Sequence, residues 1–244
     1  MAEIVKSYIG VGKVHARVFG TTGKFRHVGN VSVLNLKHTL DSQKQRDYTR
    51  SGGGTAVRVD RVEAIEAEMT WLTFTKENWA LATAGIAVDV ALASILDEVI
   101  NGYKGATVPL AHPPSAITAV TNSAGTTTYA AGTDYEMTAG GLYFPDASTI
   151  VEAADLKVDY DHPAYTRLEG AMGASSELEL WYEGLNEADS DKPMLVNLWR
   201  MSVPSAEEIA LIGLTLGEMK FGGELLKDAS KGVGVSAFYR ALMV

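Results

Sequence analysis

Apolar and polar residues alternate along much of this chain. In RVEAIEAEMTWLTFT (61–75), Val62, Ile65, Ala67, Met69 and Trp71 fall largely opposite Glu66, Glu68 and Thr70. Period two over so long a run marks a strand with one buried face. Thirteen residues of strand extend roughly 43 Å, against a usual strand of about five or six residues. SELELWYEG (176–184) repeats the pattern, with Leu178, Leu180 and Tyr182 on one side and Glu177, Glu179 and Glu183 on the other. Ile65, Met69, Trp71, Leu178, Leu180 and Trp199 are therefore expected in the core.

VHARVFG, HVGNVSVLNLKH, MLVNLWRMSV, EEIALIGLTLGEMKFGGELL and GVGVSAFYRALMV supply further strand candidates. One helix interrupts them. Thr75 suits an N-cap, Glu77 sits in the first turn, and good helix formers follow up to Gly85. Residues 86–94 fit a helix or a buried strand equally well, because a short apolar run does not separate the two. The fold class is mainly β, with one flanking α-helix.

The middle of the chain changes character. Residues 105–165 hold five of the seven prolines and are rich in Thr, Ala and Gly. Turn signals recur at Asn122-Ser123-Ala124-Gly125, Gly132-Thr133-Asp134, Gly140-Gly141 and Pro145-Asp146. Between them stand Ile117, Val120, Tyr129, Tyr135, Leu142, Phe144, Ile150 and Val158, more apolar spacing than a linker would keep. This pattern predicts a small β-domain at 105–165, inserted in a main domain formed by 1–104 and 166–244.

Composition narrows the class. With 244 residues and 46% hydrophobic content, the chain is long enough for one large domain or two modest ones, and wholesale disorder is not expected. The longest apolar run, GIAVDVALASIL, is broken by Asp89 and is too short to cross a bilayer, so no membrane partner is expected. The start, MAEIVKSYIGVG, lacks the apolar stretch of a secretory signal, and synthesis in the cytosol is the expectation. The chain has no cysteine, which excludes disulfide and thiolate chemistry.

Charge changes the picture more. Of the net −9, residues 1–61 contribute +7, from eleven Lys or Arg against four Asp or Glu. The remainder contributes −16, from ten against twenty-six. Such asymmetry bears on association rather than on fold. Its basic part ends in DSQKQRDYTRSGGGTAVRVDR (41–61), a charged, glycine-rich run between two strand candidates. Three readings compete for that run: a phosphate-binding loop, a mobile linker, or an arm reaching for another copy of the chain.

Enzyme signatures are weak. The five histidines (His15, His27, His38, His112, His162) show no metal-ligand spacing, and no metal site is expected. Neither GTTGKF (20–25) nor SGGGT (51–55) has the spacing, lysine and hydroxyl of a phosphate-binding loop. Asp159/Asp161 and Asp189/Asp191 are acidic pairs of the kind used in glycoside hydrolysis or calcium binding, yet NEADSDKP reads as a solvated turn. No G-x-S-x-G occurs. No catalytic residue and no cofactor are assigned.

The order of elements resembles a known family. Amino-terminal strands lead through the glycine-rich run into a long amphipathic strand, followed by TFTKENWALATAG. Next come YAAGTDYEMTAGGLYFPDA, around Asp134-Tyr135, and LEGAMGASSELELWYEGLN. The chain closes with FGGELLKDASKGVGVSAFYRALMV, in which Glu224-Leu225-Leu226 precedes Asp228 and a final strand. This combination resembles the major tail tube protein of long-tailed, non-contractile bacteriophages. The resemblance implies a β-sandwich that assembles into hexameric rings, whose sheets join into a barrel around a channel. Rings stack through a long loop, DNA passes through the finished tube, and an inserted domain decorates the tail exterior. The partners so implied are the chain itself, tape measure protein and DNA in the lumen, and tail terminator and distal tail proteins at the tube ends. The location implied is the virion tail, after synthesis in the host bacterial cytoplasm.

Under this resemblance the glycine-rich run 41–61 is an inter-ring arm comprising Lys44, Arg46, Tyr48, Arg50, Gly52, Gly53, Gly54, Arg58 and Arg61, flexible in the free subunit. Glu66, Glu68, Glu177 and Glu179 are the candidate lumen-facing residues, since carboxylates repel phosphates where a basic wall would hold them. The competing reading is a secreted or surface carbohydrate-binding or adhesin module with Tyr129, Tyr135 and Tyr143 as an aromatic platform. A glycosidase using paired acids stands third.

Overall fold

The computed structural model describes residues 7–173 and 176–244. Residues 1–6, the first half of the stretch read above for a signal sequence, therefore lie outside the described residues. In chain order the first strands are β1 (Gly10–Val18), β2 (Arg26–His27), β3 (Val31–Arg46) and β4 (Thr55–Trp71), followed by the helix α1 (Lys76–Ala82). Then come β5 (Ile86–Val90), β6 (Ala93–Gly102), β7 (Ala106–Pro109), β8 (Ala116–Asn122), β9 (Glu136–Met137), β10 (Gly141–Phe144), β11 (Ala154–His162) and β12 (Tyr165–Glu169). The last are β13 (Ser176–Asn186), β14 (Lys192–Val203), β15 (Glu208–Ile209), β16 (Met219–Leu225) and β17 (Tyr239–Met243). The fold is mainly β with one α-helix, as the alternation predicts.

Two compact units divide the chain: Met1–Ala87 with Leu168–Val244, and Val88–Arg167. The second unit starts earlier than the 105 expected from composition. The reason is pairing: β6 runs antiparallel to β11, with Gly102 opposite Ala154 and Ala93 opposite His162. Composition does not register a partner sixty residues away.

The first unit is built on one nine-stranded sheet in the order β2-β1-β13-β14-β16-β4-β3, with β15 beside β16 and β17 beside β14. Strand β14 pairs β13 along nearly its full length. Its other edge is divided between β17, at Met194–Leu198, and β16, at Met201 and Ser202. At that division the sheet folds over, so that β1, β13, β14 and β17 form one layer and β3, β4 and β16 the other. Tyr239 of β17 meets His38 of β3 across the fold, with ring centroids 5.8 Å apart. Between the layers lie Val14, Leu178, Leu180, Leu198, Met201, Phe221, Ile65, Met69 and Trp71, all nearly inaccessible to solvent. The rings of Trp71 and Phe221 meet with centroids 4.6 Å apart, tilted by 46°. Burial of this apolar face is the main stabilising term.

The expected burial holds for Trp199 as well. It is buried but outside this cluster, under Lys231 at 4.0 Å and Arg240 at 5.2 Å from its ring, and its Nε1 donates to the Ser236 carbonyl at 3.0 Å. The cause is a register shift between β13 and β14, where Leu178 faces Met201 but Leu180 faces Leu198. The extra residue lets Leu198 and Met201 both point inward and turns Trp199 away.

Helix α1 follows its sequence signals. Thr75 caps it by accepting a hydrogen bond from the Asn78 N–H at 3.2 Å. Asn78 itself is fully buried and pins the helix by donating to the Val28 and Thr73 carbonyls at 2.8 and 2.7 Å. Residues 86–94 are extended, in β5 and the start of β6.

The second unit has a three-stranded sheet β6-β11-β8 and another, β7-β10-β9, around Val120, Leu142, Phe144, Ile150, Leu156, Val158 and Tyr160. Asp134 is buried in it and acts as a staple. One carboxylate oxygen accepts from the Thr149 N–H and hydroxyl at 2.9 and 2.7 Å, the other from the Ala130 N–H at 2.9 Å.

Candidate assembly surfaces

The long amphipathic strand is longer than the alternation indicates. β4 begins at Thr55 rather than near 61, and it ends at Trp71 rather than Thr75. Its seventeen residues pair with the sixteen of β3 in one antiparallel hairpin. Only the base of the hairpin covers the core. From Thr55 to Glu63 every residue of β4 is exposed, and the facing end of β3 is largely so. About seven paired residues per strand, roughly 23 Å, thus run beyond the core with both faces in water.

This corrects the expectation of a flexible run. Lys44, Arg46, Arg58 and Arg61 sit on ladder positions: Lys44 opposite Arg58, Asp41 opposite Arg61 and Arg46 opposite Thr55. Alternation was invisible there because neither face is buried, so the strand carries no apolar stripe. One face of the ribbon joins Ser42, Asp60 and Arg58, with Arg58 Nε 2.7 Å from Asp60 Oδ1 and Arg58 Nη2 3.2 Å from Ser42 Oγ. These contacts hold the Asp60 carboxyl below its ordinary pKa, Ser42 first and Arg58 next. The other face bears Val57 and Val59, about half exposed.

The tip is built rather than loose. Asp47 N–H donates to the Gly54 carbonyl at 2.7 Å, and Gly53 N–H to the Arg50 carbonyl at 3.3 Å. Gly52 has φ +84°, and a Cβ at Gly53 would meet the Asp47 carbonyl oxygen at 2.0 Å. Two of the three glycines are thus required by this turn. Tyr48, at 84% exposure, and Arg50 lie on it.

The four candidate glutamates all point away from the core, Glu66 and Glu68 on the layer of β3, β4 and β16, and Glu177 and Glu179 on the layer of β13 and β14. A transverse row of directly opposed residues runs Lys37, Glu66, Glu224, Ser202, Glu177, crossing β3, β4, β16, β14 and β13. Glu68 lies in the next row on the same face, between Asn35 and Gly222. Parity along the strands gives this placement; the partners are long-range and were not anticipated. Glu177 is gripped by Arg200 at 2.8 and 2.9 Å, and Glu179 by Arg17 at 2.6 and 2.8 Å. Glu66 meets Lys37 at 3.5 Å. Arg200 holds the Glu177 carboxyl below its ordinary pKa. The surface is therefore a lattice of interleaved charges rather than a sheet of free carboxylates.

The aromatic platform of the competing reading is not assembled. Tyr135 is 6% exposed, within the core of the second unit, and Tyr129 packs against that core. The acidic pairs are engaged structurally: Asp159 accepts the Asp97 N–H at 2.7 Å, Asp161 accepts from Ser94, and Asp189 holds Lys192 at 3.0 Å. Among the described residues no group of three or more His, Cys, Asp or Glu stands close enough to hold a metal, and no helix is long and apolar enough to cross a membrane.

No curated protein matches the chain. From residue 7 to residue 242, however, it matches a family model described as "Protein of unknown function UCP028589", and the chain belongs to that family.

Proposed function

We propose that this chain is a structural virion subunit that polymerises as stacked hexameric rings into a phage tail tube, the conduit through which DNA is ejected into the host. The observation that carries the reading is the β3–β4 arm. A two-stranded ribbon with water on both sides is marginal by itself. Here it also presents Val57, Val59, Val62, Leu40 and Tyr48 at 47–84% exposure, apolar area that a monomer has no reason to display. An adjoining subunit would cover it. The cations of the arm would meet the acidic remainder of a neighbour, a contact between two different patches that propagates instead of closing.

The outward face of the sheet suits a channel wall. Glu66, Glu177 and Glu179 are paired with cations and Glu68 faces none, so this face offers phosphates little to grip and a duplex slides. The insertion at Val88–Arg167 belongs, on this reading, to the tail exterior. The tape measure protein and DNA occupy the lumen, and tail terminator and distal tail proteins the ends.

Sedimentation velocity over a concentration series tests the reading. Association that grows with concentration and weakens with added salt supports it. A single species of one chain at every concentration contradicts it.

A further inference from the structure

The stretch EEIALIGLTLGE (207–218) has the alternation of a strand, yet only Glu208–Ile209 is one, paired with β16. Residues 210–217 form no strand. Leu211, Ile212, Leu214 and Leu216 are 78, 98, 108 and 92% exposed. Scattered surface leucines are ordinary, but four neighbouring aliphatics in water are not.

The same unit holds a cleft of complementary chemistry. About 500 Å³ opens between β3 and the layer of β1, β13 and β14, lined by Val11, Val14, Leu34, Leu36, Leu180 and Val196 among others. For scale, an apolar cavity of about 150 Å³ accepts a benzene-sized group. Free strand edges border it. β1 pairs β2 only at His15 and Ala16, and β3 has β4 on one side alone. Unpaired edges invite an added strand.

We propose that this cleft receives residues 210–217 of a second copy of the chain, which add as a strand along the free edge of β3. Ile212, Leu214 and Leu216 recur at period two and enter the cleft together. Charge agrees with this occupant. Next to the apolar lining, β1 carries Lys13 and Arg17 and β3 carries Lys37, whereas the entering segment is bracketed by Glu207, Glu208 and Glu218. Donor and acceptor are different patches, so the contact repeats from copy to copy. It is smaller than the roughly 1,200 Å² of a stable interface and acts beside the arm. The inference rests on the self-assembly reading and adds which segment docks where.

The cysteine-free chain allows a direct test. Leu214→Cys and Leu36→Cys are purified separately, mixed and oxidised; Leu36 lines the cleft from β3 and is only partly buried. A disulfide-linked dimer is expected, well above that of Leu214→Cys mixed with Ala124→Cys, an exposed turn residue of the other unit. A yield equal to that control overturns the inference, as does a link found only within single chains of the double variant. Leu214→Asp and Leu216→Asp should each weaken self-association about tenfold or more with an unchanged circular dichroism spectrum. Undiminished association overturns it too. Electron microscopy of the same samples separates the two readings. Tubes without the cross-link sink this contact alone, and the cross-link without tubes sinks the tube reading alone.

Discussion

Glu177 receives two hydrogen bonds from Arg200, 2.9 Å from Nε and 2.8 Å from Nη2, on the sheet face turned from the core. A bidentate pair of this kind fixes geometry as well as charge. It depresses the Glu177 pKa and raises that of Arg200. The stabilisation is present above the unfolded carboxyl pKa of about 4.3 and is lost as pH falls through the lower folded value. Because both side chains are about one-third exposed, solvent screening keeps it small. Arg200→Ala should leave the melting temperature nearly unchanged while the Glu177 carboxyl titrates closer to the ordinary glutamate range, as read by carboxyl-carbon NMR. An unshifted titration would remove Arg200 as the cause.

Glu68 offers the sharper test of the channel wall, because across from it on β16 stands Gly222 and not a cation. Glu68→Lys should spare assembly and slow DNA ejection, more so at low salt, through added phosphate contacts. Normal ejection kinetics at every salt concentration would place this face outside the lumen.

The arm predicts a separation of folding from assembly. Arg46→Glu with Arg50→Glu changes exposed residues on and next to the tip, so the subunit should stay soluble with its β-content and melting temperature intact. Polymerisation should fall at least about tenfold, since like charges then face each other across the contact. Tube yield equal to the unmodified protein would mean that these cations make no contact.

How much of this could be read from the chain depends on where each residue's partners lie. Thr75 and Glu77 announce α1 because capping is local. The parity of Glu177 and Glu179 is likewise local, so their shared face is evident from SELELWYEG. Their cations are not, because Arg200 and Arg17 stand 23 and 162 residues away. Residues 41–46 hid their strand because a ribbon wet on both sides has no apolar period. Residues 210–217 did the reverse, showing a strand's period without a strand, because they pair with no edge among the described residues. Composition sets the start of the inserted unit too late because β6 owes its membership to β11.

Asp134 makes the two units separable by experiment. All four tryptophans, Trp71, Trp79, Trp181 and Trp199, belong to the first unit, so their fluorescence reports that unit alone. In Asp134→Asn an amide N–H₂ must face the Ala130 N–H or the Thr149 N–H, leaving buried donors unpaired at a cost of about 1–3 kcal/mol. The circular dichroism melt should gain an earlier phase while the tryptophan melt stays in place. The N–H groups of Ala130 and Thr149, with the Thr149 hydroxyl, hold the Asp134 pKa below its usual value. This contribution is therefore whole above about pH 4 and is lost as pH falls through the depressed pKa. A tryptophan transition that moves together with the dichroism would contradict this assignment.

Negative-stain electron microscopy of the purified protein at tens of micromolar tests the central claim most directly. The account predicts rings or hollow tubes with a stain-filled channel, and their loss when the arm is charge-reversed. Uniform single particles the size of one chain, unaltered by concentration or salt, would contradict it.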